Sequence, residues 1–250
     1  MPARDPINML WIGPRLSPLE RLSIASFLDN GHPVRLFTYG DVEAIPAGVE
    51  HHDGREILPA ASVFTYADGF GKGSYGGFAN LFRYKLLLDH GGYWSDTDTV
   101  CLKPFDFQAE YVIGRERNPP DPATGRQTER LAIGVLKAPP NSRVMLECYA
   151  ILNEADKSLL QWGESGPQLA TKRFQRHGLE VHALPPDVFY PVDWWNTQDL
   201  VTKPLDVGPS SYAVHFWNQV WRHKGLDKDA DYPAGCAYEM LKRRHGVHRP

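Results

Sequence analysis

The sequence predicts an α/β fold, and two neighbouring stretches of the chain indicate a sheet with parallel strands. Residues 7–13 form a compact apolar run bounded by Pro6 and Pro14, which suits a buried strand. A helical segment that begins near Ser17 and a second apolar run at 34–39 follow it. Strand, helix and strand within about 35 residues form a βαβ unit. Such a unit requires parallel strands joined by a right-handed crossover.

The first helix has a complete set of start signals. Ser17 is a suitable N-cap, Pro18 stands at the first helical position, and Glu20 completes a capping box three residues after the cap. The helix is expected to end at the Asn-Gly pair 30–31. Ligands of such open sheets bind beyond the carboxyl ends of the strands. Trp11 lies near one such end, so it is either a core residue or a ring that stacks on a bound base.

Residues 80–104 predict a helix, a glycine stop and two short strands. Leu81, Tyr84 and Leu88 recur at helical spacing. The Gly-Gly pair 91–92 ends that helix, where a left-handed residue is wanted. The strands are expected at 93–95 and 100–102. Just before this stretch, residues 68–77 contain five glycines, which predicts a mobile loop.

The rest of the chain alternates between short strand and helix patterns. Residues 115–130 are polar and proline-bearing, which predicts an exposed excursion. The expected strands are 131–136, 181–184, 189–190 and 214–217, and the expected helices are 142–153, a segment through Phe174, and 237–244. Because the sequence shows no internal repeat and no linker, residues 1–250 are expected to form one domain with a mostly parallel sheet flanked by helices.

Composition limits the partners and the compartment. The net charge of −3 over 250 residues implies neither nucleic acid nor an anionic membrane as a partner. Cys101, Cys148 and Cys236 are widely separated and odd in number, which argues against a disulfide framework or a zinc site. The sequence shows no secretory signal and no apolar run of membrane-spanning length, so a cytoplasmic protein is expected. The basic segment 242–245 is either a solvated helix end or a peripheral membrane contact.

Asp96 and Asp98 are the central candidates for function. In an extended segment, residues two apart point to the same side, so the two carboxylates are expected to project together. Carboxylates that face one spot repel each other unless a proton or a cation lies between them. The simplest interpretation is a turn, in which Asp and Thr bond their own backbone. The apolar strands predicted on both sides favour a functional role instead.

Two interpretations outside sugar chemistry remain open. The run from Asp96 to Val100 resembles the DxDx(T/V) signature of haloacid-dehalogenase-like phosphatases, in which Asp96 would be the nucleophile beside magnesium. That signature normally ends the first strand of its fold, whereas this one follows the glycine pair 91–92. Residues 71–76 also spell GxGxxG, and Asp96 follows twenty residues later, as in a dinucleotide-binding fingerprint. The strand signal before those glycines is weak.

Transfer of a sugar from a nucleoside diphosphate fits the same residues better. A divalent cation bridges the two phosphates and takes up charge as the diphosphate leaves. Such a cation needs oxygen ligands that leave room for the phosphates, and a pair of carboxylates supplies them. Arg83, on the helix before the pair, offers a fork of donors for the diphosphate or the sugar hydroxyls. Alternatively, Arg83 forms a salt bridge with a nearby carboxylate.

The stretch ANLFRYKLLLDHGGYWSDTD resembles the signature of the DXD-containing sugar transferases of glycosyltransferase family 32. That family includes the fungal initiating mannosyltransferases and the α-1,4-galactosyltransferases, and it is similar to the glucosyltransferase domains of the clostridial toxins. Its pattern is approximately (S/A)-D-x-x-R-(Y)-x-x-L-x-x-x-G-G-x-Y-x-D-x-D. The resemblance implies a GT-A fold, a single Rossmann-like, mostly parallel sheet domain. It further implies retention of anomeric configuration and use of Mn²⁺ or Mg²⁺.

The resemblance also implies roles for individual residues. Trp11, in LWIG, would stack on the nucleobase, and Arg83 would bind the donor. Asp98 would ligate the metal directly, while Asp96 would contact the donor and reach the metal through water. His215 would be a further metal ligand, because the segment from His215 to Trp221 is similar to the family's H-x-x-x-x-x-W ending. Asp96, Asp98 and Arg83 are the expected catalytic residues.

Further residues are expected around the donor. Asn218 and Trp221 would close over the diphosphate, and residues 165–167 resemble a (T/S)GP turn on the acceptor side. Asn80 stands where the family usually has the Asp that binds donor sugar hydroxyls, and its amide adds hydrogen-bond donors. Trp94 replaces the usual Tyr and removes a hydroxyl. These departures concern the identity of the donor more than the reaction.

The sequence therefore predicts a metal-dependent, retaining glycosyltransferase that uses a UDP- or GDP-linked sugar. The acceptor is expected to be a hydroxyl of a glycan or glycoconjugate, as in polysaccharide biosynthesis. Residues 1–104 are expected to form the donor half of the catalytic domain and residues 105–250 the acceptor half and closing segment. The alternatives are the phosphatase and a non-catalytic nucleotide-sugar-binding protein.

Overall fold

The computed structural model describes residues 4–247 and shows a mixed α/β fold. The strands are β1 (Ile7–Trp11), β2 (Val34–Thr38), β3 (Glu50–Asp53), β4 (Gly92–Ser95), β5 (Thr99–Cys101), β6 (Val112–Arg117), β7 (Glu129–Ala138) and β8 (Ala213–His215). The helices are α1 (Pro18–Asp29), α2 (Gly76–His90), α3 (Arg143–Glu154), α4 (Leu169–Arg176), α5 (Pro186–Phe189), α6 (Asp199–Thr202), α7 (Asn218–Lys224) and α8 (Ala237–Arg244). Nowhere between residues 4 and 247 does a helix combine the length and apolar content needed to cross a membrane.

Six strands form a sheet in the order β3-β2-β1-β4-β7-β6, and β5 pairs with β8 in a separate ribbon. β1 and β2 are parallel, with Ile7 opposite Val34 and Trp11 opposite Thr38. β7 runs antiparallel to both of its neighbours, β4 and β6. The predicted α/β class, with a sheet flanked by helices, is confirmed, and the βαβ unit predicted from residues 7–39 forms the parallel pair β1 and β2.

The chain divides into two compact units. Among the described residues, the first unit contains 4–51, 96–106 and 186–247, and the second contains 52–95 and 107–185. Both units are assembled from segments that are distant in sequence. The division into a donor half (1–104) and an acceptor half (105–250) concerns function rather than compactness, and it stays a prediction.

Helix α1 of the first unit anchors the strand that follows the Asp pair. Its predicted capping box is present, because the Glu20 carboxylate accepts from the Ser17 amide at 2.8 Å and the Ser17 hydroxyl caps the first turn. On its buried face, the Ser23 hydroxyl donates to the Thr99 carbonyl at 2.6 Å. The Cys101 amide donates to the Ser26 hydroxyl at 2.8 Å. These side chains fix β5 on the helix, so the Asp pair is attached to a rigid element.

Helix α2 of the second unit begins inside the glycine-rich segment, at Gly76. A Cβ atom on Gly77 would lie 2.8 Å from the Phe64 ring, so the helix start packs closely against that ring. The predicted stop is confirmed, since Gly91 is the C-cap with φ of 65° and β4 begins at the next residue. The mobility expected for residues 68–77 stays a prediction.

Two predicted strand pieces, 181–184 at the end of the second unit and 189–190 in the first, are wrong. Residues 181–184 lie in a 3₁₀ turn, Glu180–His182, and the residues that follow it. Phe189 ends helix α5, which begins at Pro186. Proline is favoured at the first helical position because its fixed φ suits a helix. It has no amide hydrogen, but an amide at this position would have no acceptor within the helix. The Pro-Pro pair 185–186 therefore starts a helix where the apolar pattern alone predicted a strand.

Candidate functional site

The two aspartates lie in a tight turn between β4 and β5. The Thr99 amide donates to the Asp96 carbonyl at 3.1 Å, so residues 96–98 are not the extended segment that alternation of side chains assumed. The turn nevertheless brings the carboxylates together. One ligand atom each from Asp96, Asp98 and His215 lie within 4.8 Å of one another. The expected convergence of the pair is therefore confirmed, although its backbone basis was wrong.

Pairing of β5 with β8 brings His215 to the pair. Thr99 is opposite His215 in this antiparallel ribbon. The Phe216 amide also donates to the Asp98 carbonyl at 2.8 Å. As a result, His215 Nε2 lies 3.0 Å from Asp98 Oδ1 and 3.9 Å from Asp96 Oδ2. Backbone hydrogen bonds thus set the positions of all three side chains.

The Asp98 carboxylate is buried but well supported, with its side chain 10% exposed. Its Oδ2 accepts from the Asn218 amide at 2.6 Å. Burial raises the pKa of this carboxyl, but the charge of His215, hydrogen bonds from His215 and Asn218, and the charge of Lys228 outweigh it, so the pKa lies below its ordinary value. Asp98 is therefore ionised near neutral pH and preformed for a cation.

The arrangement of the three side chains fits a divalent cation of the Mn²⁺ or Mg²⁺ type. Carboxylate oxygens suit such hard ions, and the imidazole adds one nitrogen ligand, of the kind that transition metals accept. Asp96 is the most open of the three, with a side chain 29% exposed against 9% for His215. Three protein ligands leave coordination positions free for other oxygen atoms. The cluster could thus hold a cation that also contacts a ligand.

Aromatic rings that the sequence interpretation did not single out hold His215 in place. The Trp217 ring lies edge-on to the His215 ring, with centroids 4.2 Å apart, and the Tyr190 ring lies 5.6 Å away. Trp217 Nε1 donates to the Val192 carbonyl at 2.9 Å. Trp217 also has a left-handed backbone, with φ of 57° and ψ of 54°. A non-glycine residue in this conformation costs free energy and is often found at functional sites. The sequence could have indicated this role for Trp217 only through its position two residues after His215.

Of the two predicted residues on α7, Asn218 lies at the Asp98 carboxylate and Trp221 lies in the apolar core. Asn218 reaches the site through its backbone amide, which the side-chain pattern could not show. Trp221 is fully buried in an apolar cluster of the first unit, where its ring lies 5.3 Å from Tyr238 and 5.8 Å from Phe216. The described contacts of Trp221 are packing contacts. Its direct contact with a donor stays a prediction.

Trp11 ends β1 and is held by a lysine from the C-terminal part of the chain. Its ring is half-buried, and the Lys228 ammonium group lies 5.5 Å from the ring centroid. The same ammonium bonds the carboxylate of Glu20, which is fully buried. A Cβ atom on Gly13 would lie 3.2 Å from Trp11 Nε1, so glycine leaves room for the indole. Sequence reasoning missed Lys228, because its partners are more than 200 residues away.

We expect Lys228→Met to weaken nucleotide binding and to destabilise the fold. The substitution leaves the buried Glu20 carboxylate without its cation, which costs about 3–5 kcal/mol, and it removes the cation next to the Trp11 ring. Titration calorimetry with UDP and GDP, together with thermal unfolding, would measure both effects. Arg15→Met is the matched control, because its bridge to Asp229 is exposed and contributes little. Unchanged nucleotide affinity in Lys228→Met would contradict the role given to this lysine.

The second unit contains a buried guanidinium on α2. Arg83 is 3% exposed and donates to the Ile133 carbonyl. Its guanidinium carbon lies 4.8 Å from the centroid of the Trp94 ring, which is 1% exposed. A guanidinium stacked on an aromatic face is held at a fixed angle. The structure thus places Trp94 as a support for Arg83, and the donor contacts of both residues stay predictions.

Asn80 lies one turn before Arg83 and belongs to a buried hydrogen-bond network. Its amide donates to the Ser165 hydroxyl at 3.0 Å, and the Tyr66 hydroxyl lies 3.0 Å from the same oxygen. A Cβ atom on Gly166 would lie 3.0 Å from Asn80 Nδ2, so this close approach requires glycine. The Ser-Gly-Pro segment 165–167 therefore packs directly on Asn80.

The predicted residues form two groups in the described chain. The first unit contains Trp11, Asp96, Asp98, His215, Asn218 and Trp221. The second unit contains Asn80, Arg83 and Trp94. Within the first unit the three proposed metal ligands meet, and within the second Asn80, Arg83 and Trp94 occupy consecutive elements of one polar core. Their roles toward a donor or a metal stay predictions.

Two family models match the chain. The "Glycosyltransferase sugar-binding region containing DXD motif" covers residues 71–117, and the "Alpha 1,4-glycosyltransferase conserved region" covers residues 159–247. The first match includes Asn80, Arg83, Asp96 and Asp98, and the second includes His215. The resemblance to DXD-containing α-1,4-glycosyltransferases that the sequence indicated is confirmed.

Curated relatives agree with these models. The lactosylceramide 4-alpha-galactosyltransferase of Pongo pygmaeus is 35% identical over 55% of this chain and 65% of its own length. The enzyme of that name from Rattus norvegicus is 29% identical over 55% of this chain and 39% of its own. The alpha-1,4-N-acetylglucosaminyltransferase of Homo sapiens is 26% identical over 55% and 41%. The match thus spans about two fifths of the rat and human relatives.

Among solved structures, the PaToxG glycosyltransferase is similar to this chain with a TM-score of 0.48 and 15% identity. The match covers 72% of this chain and 71% of the other.

Proposed function

We propose that this chain, a relative of the α-1,4-glycosyltransferases with a DXD sugar-binding region, transfers a sugar from a nucleoside diphosphate to an acceptor hydroxyl with the help of Mn²⁺ or Mg²⁺. The observation that supports this function most directly is the cluster of Asp96, Asp98 and His215. The cluster matches what a departing diphosphate requires, because a cation held there would neutralise the charge that develops on the phosphates.

The residues around the cluster suit this chemistry. Asp98 is held by the Asn218 amide and by His215, so its carboxylate needs little reorganisation when charge builds up nearby. Asp96 is more exposed and is proposed to contact the donor, reaching the metal through water. Arg83, Asn80 and Trp94 are proposed to bind and orient the donor. The acceptor hydroxyl is proposed to attack the anomeric carbon of the donor sugar from the side on which the diphosphate leaves. Its proton would pass to the departing phosphate oxygen. Attack from that side retains the configuration of the anomeric carbon.

The names of the relatives suggest the donor and the linkage. They are a 4-alpha-galactosyltransferase acting on lactosylceramide and an alpha-1,4-N-acetylglucosaminyltransferase. We therefore propose an α-1,4 transfer of a UDP-linked sugar to a glycan or glycoconjugate, with a GDP-linked sugar as the alternative. A role in polysaccharide or glycoconjugate synthesis follows from such an activity.

A donor screen tests the proposed function. The protein is mixed with UDP-galactose, UDP-N-acetylglucosamine, UDP-glucose or GDP-mannose, each with Mn²⁺, with Mg²⁺ or with EDTA. A true donor is expected to raise the melting temperature only with metal, because a ligand that binds the folded state stabilises it by mass action. The same donor is expected to be slowly hydrolysed. Binding without any hydrolysis or transfer would favour a nucleotide-sugar-binding protein, and no metal-dependent binding of any donor would overturn the proposal.

The phosphatase alternative has less support in the structure. Asp96 lies beside His215 and Asp98, a constellation that suits a cation with one imidazole ligand. Turnover of p-nitrophenyl phosphate with Mg²⁺, abolished by Asp96→Asn, would restore that alternative.

The basic C-terminal segment has internal partners. Lys242 is 7% exposed and pairs with Glu239 at 2.7 Å. Arg243 donates to the Ala234 carbonyl, and His245 Nδ1 lies 2.6 Å from Asp29 Oδ2. These contacts favour a helix end over the peripheral membrane contact left open from the sequence. A cytoplasmic location remains part of the proposal.

We expect Asn80→Asp to fold and to change the choice of donor. The Ser165 and Tyr66 hydroxyls can both donate to a carboxylate at this position, and Arg83, one helical turn away, offsets its charge. An aspartate accepts from sugar hydroxyls but cannot donate to a sugar oxygen as the asparagine amide does. The ratios of kcat/KM among the four donors, compared between the variant and the unmodified protein, would show the change. Asn153→Asp is the control, because Asn153 is an exposed residue of α3. Identical donor ratios in Asn80→Asp and the unmodified protein would contradict a donor role for Asn80.

A further inference from the structure

An exposed aromatic surface in the second unit is not used by the proposed donor and metal chemistry. Phe70, Tyr75 and Trp162, here called the aromatic platform, are 41%, 40% and 39% exposed. The rings of Phe70 and Trp162 lie 5.6 Å apart. Large rings that are exposed together rather than singly indicate a binding surface.

The glycine-rich segment 68–77 is shaped by the platform. A Cβ atom on Gly71 would lie 2.7 Å from both Trp162 and Tyr66, and one on Gly76 would lie 3.0 Å from Trp162. The backbone of the segment is therefore pressed against the indole. The GxGxxG pattern, which imitates a dinucleotide fingerprint, is explained by this packing. The glycines hold the Trp162 ring in position while 39% of the residue stays exposed.

Polar groups lie at the edge of the platform. Gln161 Nε2 donates to Asp68 Oδ1 at 3.3 Å, and both residues are exposed. An amide and a carboxylate beside an aromatic face are the groups that recognise a sugar, because its ring carbons pack on the aromatic face while its hydroxyls form hydrogen bonds. A purely apolar partner surface would bury their remaining hydrogen-bonding atoms without a partner.

The platform is continuous with the residues proposed to bind the donor. Trp162 packs on Tyr66, with ring centroids 5.4 Å apart. The Tyr66 hydroxyl lies 3.0 Å from the Ser165 hydroxyl, which accepts from the Asn80 amide. Two side chains, those of Tyr66 and Ser165, thus connect the exposed indole to Asn80, one helical turn from Arg83. A ligand on the platform would lie next to the same polar core.

We propose that the aromatic platform is the acceptor subsite and binds a hexose ring of the acceptor glycan. This inference rests on the proposed function and adds the location and chemistry of acceptor recognition. The sugar ring stacks on Trp162 and Phe70, and its hydroxyls bond Gln161 and Asp68. Tyr75, the N-cap of α2, is a further exposed aromatic residue of the same glycine-rich segment. A protein partner on the same surface is the competing outcome that the test separates.

Three surface variants test the platform: Phe70→Ala, Tyr75→Ala and Gln161→Ala. Ile151→Ala on α3 is the matched control, because Ile151 is a similarly exposed hydrophobic residue of the same unit. Each protein is assayed for metal-dependent donor hydrolysis without acceptor, and for transfer to lactose, N-acetyllactosamine, maltose and cellobiose. Each variant protein is also titrated with the same sugars by saturation-transfer NMR in the absence of donor. Donor hydrolysis establishes the proposed function independently of the platform.

The expected result is a rise of up to about tenfold in the acceptor KM and Kd of the three variants, which corresponds to about 1.4 kcal/mol of binding free energy. Donor hydrolysis and the Ile151→Ala control are expected to stay unchanged. Normal hydrolysis with unchanged acceptor KM and Kd in all three variants would overturn the platform proposal and would favour a protein partner on this surface. Absence of donor hydrolysis in the unmodified protein would instead overturn the proposed function.

Discussion

Asp98→Asn is expected to lower the rate of sugar transfer by at least about a thousandfold while leaving the fold intact. A thousandfold loss corresponds to about 4 kcal/mol of transition-state stabilisation, which is within the range that a bound cation supplies to a leaving phosphate. The asparagine oxygen can still accept from the Asn218 amide, now 2.6 Å from Oδ2, so the turn and α7 keep their anchor. What is lost is the negative charge that faces His215 and the proposed cation.

The measurement combines kinetics with metal binding. Initial rates of donor hydrolysis and transfer are taken over a range of Mn²⁺ concentrations, and Mn²⁺ affinity is measured by electron paramagnetic resonance with UDP present. Asp41→Asn, an exposed aspartate of the same unit, is the control. Retention of the unmodified rate and metal dependence by Asp98→Asn would show that the cluster is not the catalytic metal site. A melting temperature near that of the unmodified protein would confirm that lost activity is not lost folding.

Much of this site could be predicted because its signals lie close together in sequence. The helix, glycine stop and strand signals of residues 80–95 occupy one continuous stretch with the two aspartates directly after it, and these three signals agree with the structure that forms. The capping box of α1 and the limits of α8 follow from equally local patterns. Where a feature depends on residues close together in sequence, periodicity and capping residues were sufficient to predict it.

The features that the sequence did not indicate depend on contacts over long separations. Lys228 reaches Glu20 across 208 residues, and no local pattern reports such a pair. The support of Asp98 by Asn218 comes from a backbone amide, which is invisible to reasoning about side chains. The glycines of 68–77 looked like flexibility or a phosphate-binding loop, but their neighbour Trp162 lies some 90 residues away. Proximity created by the fold decides the role of each of these residues.

The prediction that residues 96–98 have an extended backbone was wrong for a related reason. Alternation of side chains assumes a continuous strand, but the chain must turn from β4 to β5, and Asp and Thr are favoured in turns. The simple turn and the metal-binding pair were treated as competing interpretations, yet the two are compatible, because a tight turn brings Asp96 and Asp98 within reach of His215. The backbone bond of the turn is part of how the cluster is built.

Trp221→Ala is expected to destabilise the protein strongly, because the structure places this ring in the core of the first unit. Trp221 is fully buried, and its ring lies 5.8 Å from Phe216, 5.3 Å from Tyr238 and 6.2 Å from Tyr232. Removing a buried tryptophan costs about 3–5 kcal/mol through lost burial and the cavity that remains. For a chain of this size, that loss lowers the melting temperature by about 10 °C.

Trp221→Phe separates packing from donor binding. The indole nitrogen of Trp221 has no hydrogen-bond acceptor among the described residues, so phenylalanine loses volume but no bond. If the ring acts through packing, Trp221→Phe should keep kcat/KM within about threefold of the unmodified value at temperatures well below its melting point, a difference of less than 1 kcal/mol. Trp195→Ala, a half-buried tryptophan of the same unit, is the control for general loss of an indole. A large fall in kcat/KM for a stably folded Trp221→Phe would instead establish the direct donor contact that the family resemblance implies, and α7 would then have to move on binding to bring the ring out of the core.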